Sequence, residues 1–387
     1  MDSHIPPPTH AALPLCGLTF SVKDNIEVAG LPWTAGHPLF SRRVGREDAV
    51  VVRRLKLLGA MVVGVSPTDA GGFGVTSPGL RNPLDGARIA GGSSGGAAVA
   101  VATGLADFGL GTDTAGSIRI PAACCGLYGF KPSFGALPLG GVWPLAPRFD
   151  HLGFLARDMS TLNRVVAAVL PARDQDHEPR QPRIAFDPAR LERCDRTVAE
   201  PFRLFVEHLG EAGLAVSTAT LPDRNQTVEA HGILTLEQAQ SVYRDLAPDD
   251  HALLGEAAQR ALKSGPPLAA SLIQRAIERS VSIGLAMESL FAQADIIITP
   301  TLPVLPPKVG QKRVEIDGVS LPSLSALIAD TCLANLCGCP ALAVPIPRWA
   351  KSAIPPSVMV MAKPGSDHAV LAFVQTLMRM IEPEERI

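Results

Sequence analysis

Neither sign of charge is in surplus in this sequence: 35 Lys and Arg stand against 37 Asp and Glu, a formal net charge of −2. Runs of five or more basic residues are absent as well. Together these remove the electrostatic ground for a nucleic-acid partner or an anionic membrane surface. No apolar run reaches 18 residues, so no membrane-spanning helix is expected. The first residues, Met1 to His4 followed by Ile5 and three prolines, lack the basic start and apolar stretch of a secretory signal. The cysteines are odd in number at seven, namely Cys16, Cys124, Cys125, Cys194, Cys332, Cys337 and Cys339. Reduced thiols and a cytoplasmic location are the expectation.

Glycine and proline, by contrast, are plentiful at 35 each, which implies many turns and close backbone approaches and suits an active site built on loops. With 47% apolar and 19% charged residues in a 387-residue chain, the class is globular with a large core.

Strand and helix signals alternate along the chain. Leu18, Phe20 and Val22 alternate with Thr19, Ser21 and Lys23, the period of a pleat. A helix is expected over 48–58, capped by Asp48 and ended by Gly59, and a buried strand over 61–65. Strand, helix, strand is a βαβ unit, the mark of a parallel or mixed sheet. Residues 66–92 form a long loop, of the length that is usually functional. A small-residue helix follows at 95–104, then a strand at 107–110 and a second Gly- and Pro-rich loop from Gly111 to Pro147. In the second half, Leu162, Val165, Val166, Val169 and Leu170 form one helical stripe, and strands are expected at 184–186, 215–218, 296–298, 341–344 and 358–361. A helix over 195–209 contains Pro201, which should kink it or delay its start. Asp367 is placed to cap a last helix. The expected organisation is one domain over 1–387: a loose arm at 1–15, a first part over 16–170 and a second over 183–387 that completes the same sheet.

Three features bear on chemistry. Gly91-Gly92-Ser93-Ser94-Gly95-Gly96 lies just before a helix; alone, it is as well explained by a tight helix entry with Ser94 as cap. Gly111 to Arg119, reading Gly-Thr-Asp-Thr-Ala-Gly-Ser-Ile-Arg, places small residues before Ser117, so that successive N–H groups can share one hollow; alone, it could be a turn with an Asp113–Arg119 pair. Lys23 ends an apolar strand. A lone lysine there ordinarily snorkels or pairs with Asp24, whereas a desolvated one can serve as a base.

In this order the three features resemble the amidase signature family, whose members use a Ser–cis-Ser–Lys triad. The family's Gly-Gly-Ser-Ser-Gly-Gly stands at 91–96, its Gly-Thr-Asp-x-x-Gly-Ser-Ile-Arg-x-Pro-Ala at 111–122 and its Cys-Gly-x-x-Gly-x-Lys-Pro at 125–132. Ser93 and Ser117 are 24 positions apart, a gap that fits the family. Further landmarks at 149–153, 156–158, 299–301 and 335–340 extend the likeness over nearly the whole chain. The resemblance implies a single α/β domain, a large mixed twisted sheet covered by helices on both faces. It implies Ser117 as nucleophile, Ser93 as proton relay with a cis peptide beside it, and Lys23 as base. Backbone N–H groups of Thr114, Ala115, Gly116 and Ser117 would hold the oxyanion, with Ser94, Asp113 and Arg119 in support. No metal or cofactor is required, and the partner is a small-molecule amide; a homodimer is one assembly open to it, and the sequence does not fix the oligomeric state.

The chain departs from the family's pattern in places. Ala115 stands where glycine is usual, which should alter the oxyanion loop slightly. Lys23 comes early, as in a short branch that includes plant indole-3-acetamide hydrolases, and the 70–79 loop is short. Phe73, Thr76, Trp143 and helix 231–243 are the candidate pocket walls, favouring an aryl or alkyl primary amide. Arg148 either meets an anionic substrate or is simply exposed near Asp150. Gly91-x-Ser93-x-Gly95 also fits the nucleophile elbow of an α/β-hydrolase-type esterase, with His231, His251 or His368 as partner. A third alternative is an ammonia-producing subunit of an amidotransferase. Cys332, Cys337 and Cys339 are crowded, but read better as core thiols than as a metal site.

Overall fold

The structure, a computed structural model, describes residues 13–170, 181–246, 249–263 and 268–381. Most of the arm at 1–15 and of the 171–182 boundary lies outside the described residues.

Among the described residues twelve strands are formed in chain order: β1 Thr19–Lys23, β2 Met61–Ser66, β3 Phe108–Asp113, β4 Tyr128–Lys131, β5 His151–Ala156, β6 Ile184–Phe186, β7 Val216–Thr218, β8 Ile296–Pro300, β9 Arg313–Ile316, β10 Val319–Pro322, β11 Ala341–Pro345 and β12 Ser357–Met361. Ten of them make one sheet in the order β2-β1-β3-β5-β4-β11-β12-β8-β6-β7. Its two wings are parallel, β2-β1-β3 and β8-β6-β7, and its centre from β3 through β8 is antiparallel. Strands β3, β5, β8, β11 and β12 are buried at every residue, because helices cover both faces. The remaining pair, β9 and β10, is a hairpin closed by Asp317 and Gly318 at φ 48° and 74°, the primed turn that Asp-Gly favours.

Several expectations change on contact with the packing. The stretch 111–147 is not one loop: it contains the helix Arg119–Cys124 and strand β4 at the middle of the sheet. Glycine hides the strand character of β4. A Cβ at Gly129 would run into the Cβ of Ala122, so the helix can lie this close to β4 only over a glycine. The alternation of β1 does not separate core from solvent, since Ser21 and Lys23 are as buried as Phe20 and Val22. The first helix is Val50–Leu57, and Asp48 does not cap it; its carboxylate accepts instead from Ala29 N and Lys56 Nζ. Likewise the Asp367 carboxylate accepts from the Ser133 N–H and hydroxyl, pinning the last helix, Asp367–Ile381, to the segment after β4. Pro201 lies inside the helix Arg196–Glu211 without delaying its start, which Asp195 caps through Thr197 N at 2.8 Å.

The helix Arg224–Val242 packs most closely on the helix Ala270–Gln293. Its first turn is fastened from below: buried Asp330 accepts from Arg224 Nε at 3.2 Å and from Arg190 Nη1 at 3.0 Å. That anchor sets one wall of the site. Among the described residues, no helix is long and apolar enough to cross a membrane.

Candidate active site

The carboxyl end of β1 delivers Lys23 into the interior, where it is 1% exposed. Its Nζ donates to Ser93 Oγ and to Thr112 Oγ1, each at 2.8 Å. Thr112 also accepts from Asn25 Nδ2 at 3.1 Å. Lys23 therefore neither snorkels nor pairs with Asp24, whose carboxylate accepts from Thr34 N at 2.7 Å. Burial pulls the Lys23 amine down to about 7, against the opposing pull of Asp113, Asp69 and Asp150.

Ser93 follows a cis Gly92–Ser93 peptide. Its carbonyl is fixed by Thr68 Oγ1 at 2.8 Å and by Ser77 Oγ at 3.1 Å. Ser94 does not cap the helix Gly95–Ala102. It ties the two serine loops together, its N–H donating to Ser117 O and its hydroxyl to Thr112 O, both at 3.1 Å.

The loop from Asp113 to Ser117 shows a consistent division of labour. The carbonyl of Asp113 accepts from Asn335 Nδ2 at 3.0 Å, that of Thr114 from His231 Nε2 at 2.9 Å, and that of Ala115 from Thr331 Oγ1 at 2.6 Å. The carbonyl of Gly116 accepts from Ile120 N at 2.7 Å. Four successive carbonyls are thus held, while among the described residues the N–H groups of Thr114, Ala115, Gly116 and Ser117 donate to no protein acceptor. Because each peptide is planar and trans, clamping a carbonyl aims the following N–H. Ala115 does not sit at positive φ; that conformation falls on Gly116, at 137°, where a Cβ would strike Thr331. Alanine at 115 therefore carries no backbone strain.

Beneath the loop, Asp113 and Arg119 form a fully buried pair, with Arg119 Nη2 on Oδ1 at 2.8 Å and Nε on Oδ2 at 3.0 Å. Burial opposes the charge on Asp113, but Arg119, Lys131 and Asn335 hold its carboxyl well below the usual range. Asn335 bridges the pair to the loop, and Thr114 Oγ1 donates to Asp150 at 2.6 Å.

Ser117, 7% exposed, opens onto a cavity of about 210 Å³. Phe73, Val75, Ile120, Leu145, Leu236 and Ile328 give it an apolar lining, with Thr114, Ala115, His231 and Thr235 near the loop; among the described residues no charged side chain lines it. Of the residues proposed as walls, Phe73 and the helix carrying His231 are there. Thr76 is exposed and outside the lining. Trp143 stands behind Phe73, donating through Nε1 to Tyr243 Oη at 3.2 Å. Arg148 is exposed and lines a separate surface cavity with Phe134 and Asn335.

The histidines do not serve an elbow at Ser93. His231 is occupied by Thr114 O and Thr235, His251 lies in the short turn Asp250–Leu253, and His368 is the second residue of the last helix. Cys332 and Cys339 are buried, and burial pushes both thiols up to about 12, away from the thiolate that ligation needs. Sequence reasoning missed Thr112 as the second partner of Lys23, and the clamps His231 and Thr331; the latter two lie 117 and 216 positions from the carbonyls they hold, beyond any local pattern.

A buried amine on a serine hydroxyl, next to a largely apolar cavity and a loop of open N–H groups, is the equipment of a serine hydrolase without a catalytic histidine. The chain belongs to the amidase family, whose model matches residues 1–371. It is 31% identical to Amidase 1 of Oryza sativa subsp. japonica, over 98% of this chain and 94% of that protein. It is also 31% identical to a glutamyl-tRNA(Gln) amidotransferase subunit of Methanospirillum hungatei, over 88% of each. Among solved structures, an amidase crystal structure superposes with a TM-score of 0.87 at 30% identity, covering 95% of this chain and 85% of that one.

Proposed function

We propose that this amidase hydrolyses small, uncharged, largely apolar primary carboxamides to a carboxylic acid and ammonia, with Ser117 as nucleophile. The observation that carries the proposal is Lys23: buried, lowered to about 7, and 2.8 Å from Ser93 Oγ. In its neutral form the amine accepts the Ser93 proton, and Ser93 accepts the proton of Ser117. Ser117 Oγ attacks the amide carbon, and the N–H groups of Thr114, Ala115, Gly116 and Ser117 take the oxyanion. The C–N bond breaks as the proton returns through Ser93 to the leaving nitrogen. Water then hydrolyses the acyl-enzyme by the same route.

The cavity supports this substrate class. At about 210 Å³ it is smaller than the roughly 300–1,000 Å³ of drug-sized sites. A single aromatic system or short alkyl group on the acyl side fits that space, and indole-3-acetamide-like arylacetamides lie at its upper end. Glutamine, the ammonia donor of the amidotransferase alternative, would bring an ammonium and a carboxylate to walls that hold no charged side chain among the described residues, which is costly.

The test is ammonia release from a panel of aryl and alkyl primary amides, with glutamine included. Wild type should release ammonia from the apolar members and Ser117→Ala from none. Turnover by Ser117→Ala above about a tenth of wild type would remove Ser117 as nucleophile. A preference for glutamine would turn the assignment toward the amidotransferases.

A further inference from the structure

We infer that His231 is a positioning residue that aims the Ala115 N–H at the oxyanion and couples this aim to the wall of the acyl cavity. The inference rests on the function proposed above. It starts from the tautomer. Nε2 lies 2.9 Å from a carbonyl oxygen, Thr114 O, which can only accept, so Nε2 carries the proton. Nδ1 is then the acceptor, and Thr235 Oγ1, one helical turn on, supplies its proton at 3.3 Å. Burial supports this neutral form by lowering the imidazole to about 4.

The Thr114 carbonyl and the Ala115 N–H belong to one peptide plane. A donor on the carbonyl edge therefore fixes the direction of the N–H on the opposite edge, away from the helix Arg224–Val242. The Thr114 hydroxyl is held independently by Asp150, which in turn accepts from Leu145 N at 2.9 Å. The residue is thus pinned at its side chain by one element and at its main chain by another. The His231 ring itself packs on Phe149 with centroids 4.7 Å apart.

His231 differs from the other clamps because its helix also faces the acyl group. Gly232, Thr235 and Leu236 line the cavity with it. Thr331 and Asn335 hold their carbonyls from a different helix, Thr331–Leu336. An acyl group seated against Thr235 and Leu236 therefore bears on the same helix that orients the oxyanion donor. A loss of this donor's aim should appear in the chemical step rather than in ground-state binding.

The experiment follows phosphonylation of Ser117 by an alkyl fluorophosphonate, read by mass spectrometry, with the maximal rate and the half-saturating concentration measured separately. This probe needs no knowledge of the natural substrate. His231→Leu removes the donor at similar volume; its maximal rate should fall about 100-fold, as expected for a reacting group misplaced by about an ångström, with half-saturation changing less than about twofold. His231→Gln, which can place an amide N–H near the position of Nε2, should recover most of the loss. Thr235→Val frees Nδ1 and should cost several-fold in the same rate, and it reports even where His231→Leu does not fold. Equal losses in the Leu and Gln variants with equal losses of thermal stability would overturn the inference in favour of simple packing, and so would an unchanged rate in the Leu variant. Failure of wild-type Ser117 to react would overturn the proposed function and this inference with it; reaction of wild type and of the Leu variant at the same rate overturns the inference alone.

Discussion

Among the described residues two lysines are buried at strand ends, and burial brings both to about 7. Lys23 ends β1 and Lys131 ends β4; they are 1% and 0% exposed. Their partners separate them. Lys23 meets two hydroxyls, Ser93 and Thr112, whereas Lys131 meets two backbone carbonyls, Pro132 O at 3.0 Å and Cys339 O at 2.6 Å. A carbonyl oxygen only accepts, so Lys131 can do no more than donate, in either protonation state. A hydroxyl can also give up a proton, so the Lys23 amine has something to take. A lowered pKa alone does not mark a catalytic base; a neighbour able to surrender a proton does.

Exchanging each lysine for methionine breaks the comparison most sharply. Lys23→Met should lower kcat by about 10³-fold, within the range for loss of a general base, with little loss of stability because a desolvated amine is removed. Lys131→Met should do the reverse. It leaves two buried carbonyls unpaired, for about 2–4 kcal/mol of stability in a denaturant titration, while kcat per folded molecule stays within a few-fold of wild type. Parallel behaviour of the two variants would end the distinction.

The pH profile comes next in size. Below about 7 Lys23 is protonated and cannot accept from Ser93, so kcat/KM should fall about tenfold per pH unit on the acid side and level off above. The same limb should persist in Lys131→Met. A wild-type rate flat to pH 5, with the protein still folded by circular dichroism, would exclude a neutral-lysine base. The smallest effect is expected from Thr112→Val, which removes one of the two groups orienting the amine: about a tenfold drop in kcat with KM nearly unchanged.

Legibility from sequence follows the range of each interaction. Strand β1 is readable from its alternation, and β8, β11 and β12 because apolar residues in a row announce a buried strand, whatever lies beside them. Strands β4 and β5 are not, because Gly129 and Gly153 satisfy contacts made by Ala122 and Phe130, which local propensity does not register. The β9–β10 hairpin does carry a local signal, Asp317-Gly318 between two β-prone stretches, yet it falls outside the expected strands. In the site, Lys23, Ser93 and Ser117 are legible through motifs that keep short, characteristic spacing. The clamps on the loop carbonyls are single residues on distant helices, and nothing near His231 or Thr331 in sequence points to residues 114 and 115. The cavity walls are half legible: position along the chain brings Phe73 and the helix of His231 to the acyl side, but the fold places Thr76 and Arg148 at the surface and Trp143 a layer behind.

The order in which the chain supplies these parts has a consequence during synthesis. Lys23, Ser93 and Ser117 all emerge early, yet three of the four groups that hold the loop carbonyls come from His231, Thr331 and Asn335. Strand β11, next to β4 at the centre of the sheet, arrives later still. At about 5–20 residues per second, roughly 200 residues and 10–40 s separate Ser117 from the last of these clamps on the ribosome. The growing polypeptide thus carries Ser117 well before the loop carbonyls beside it can be held.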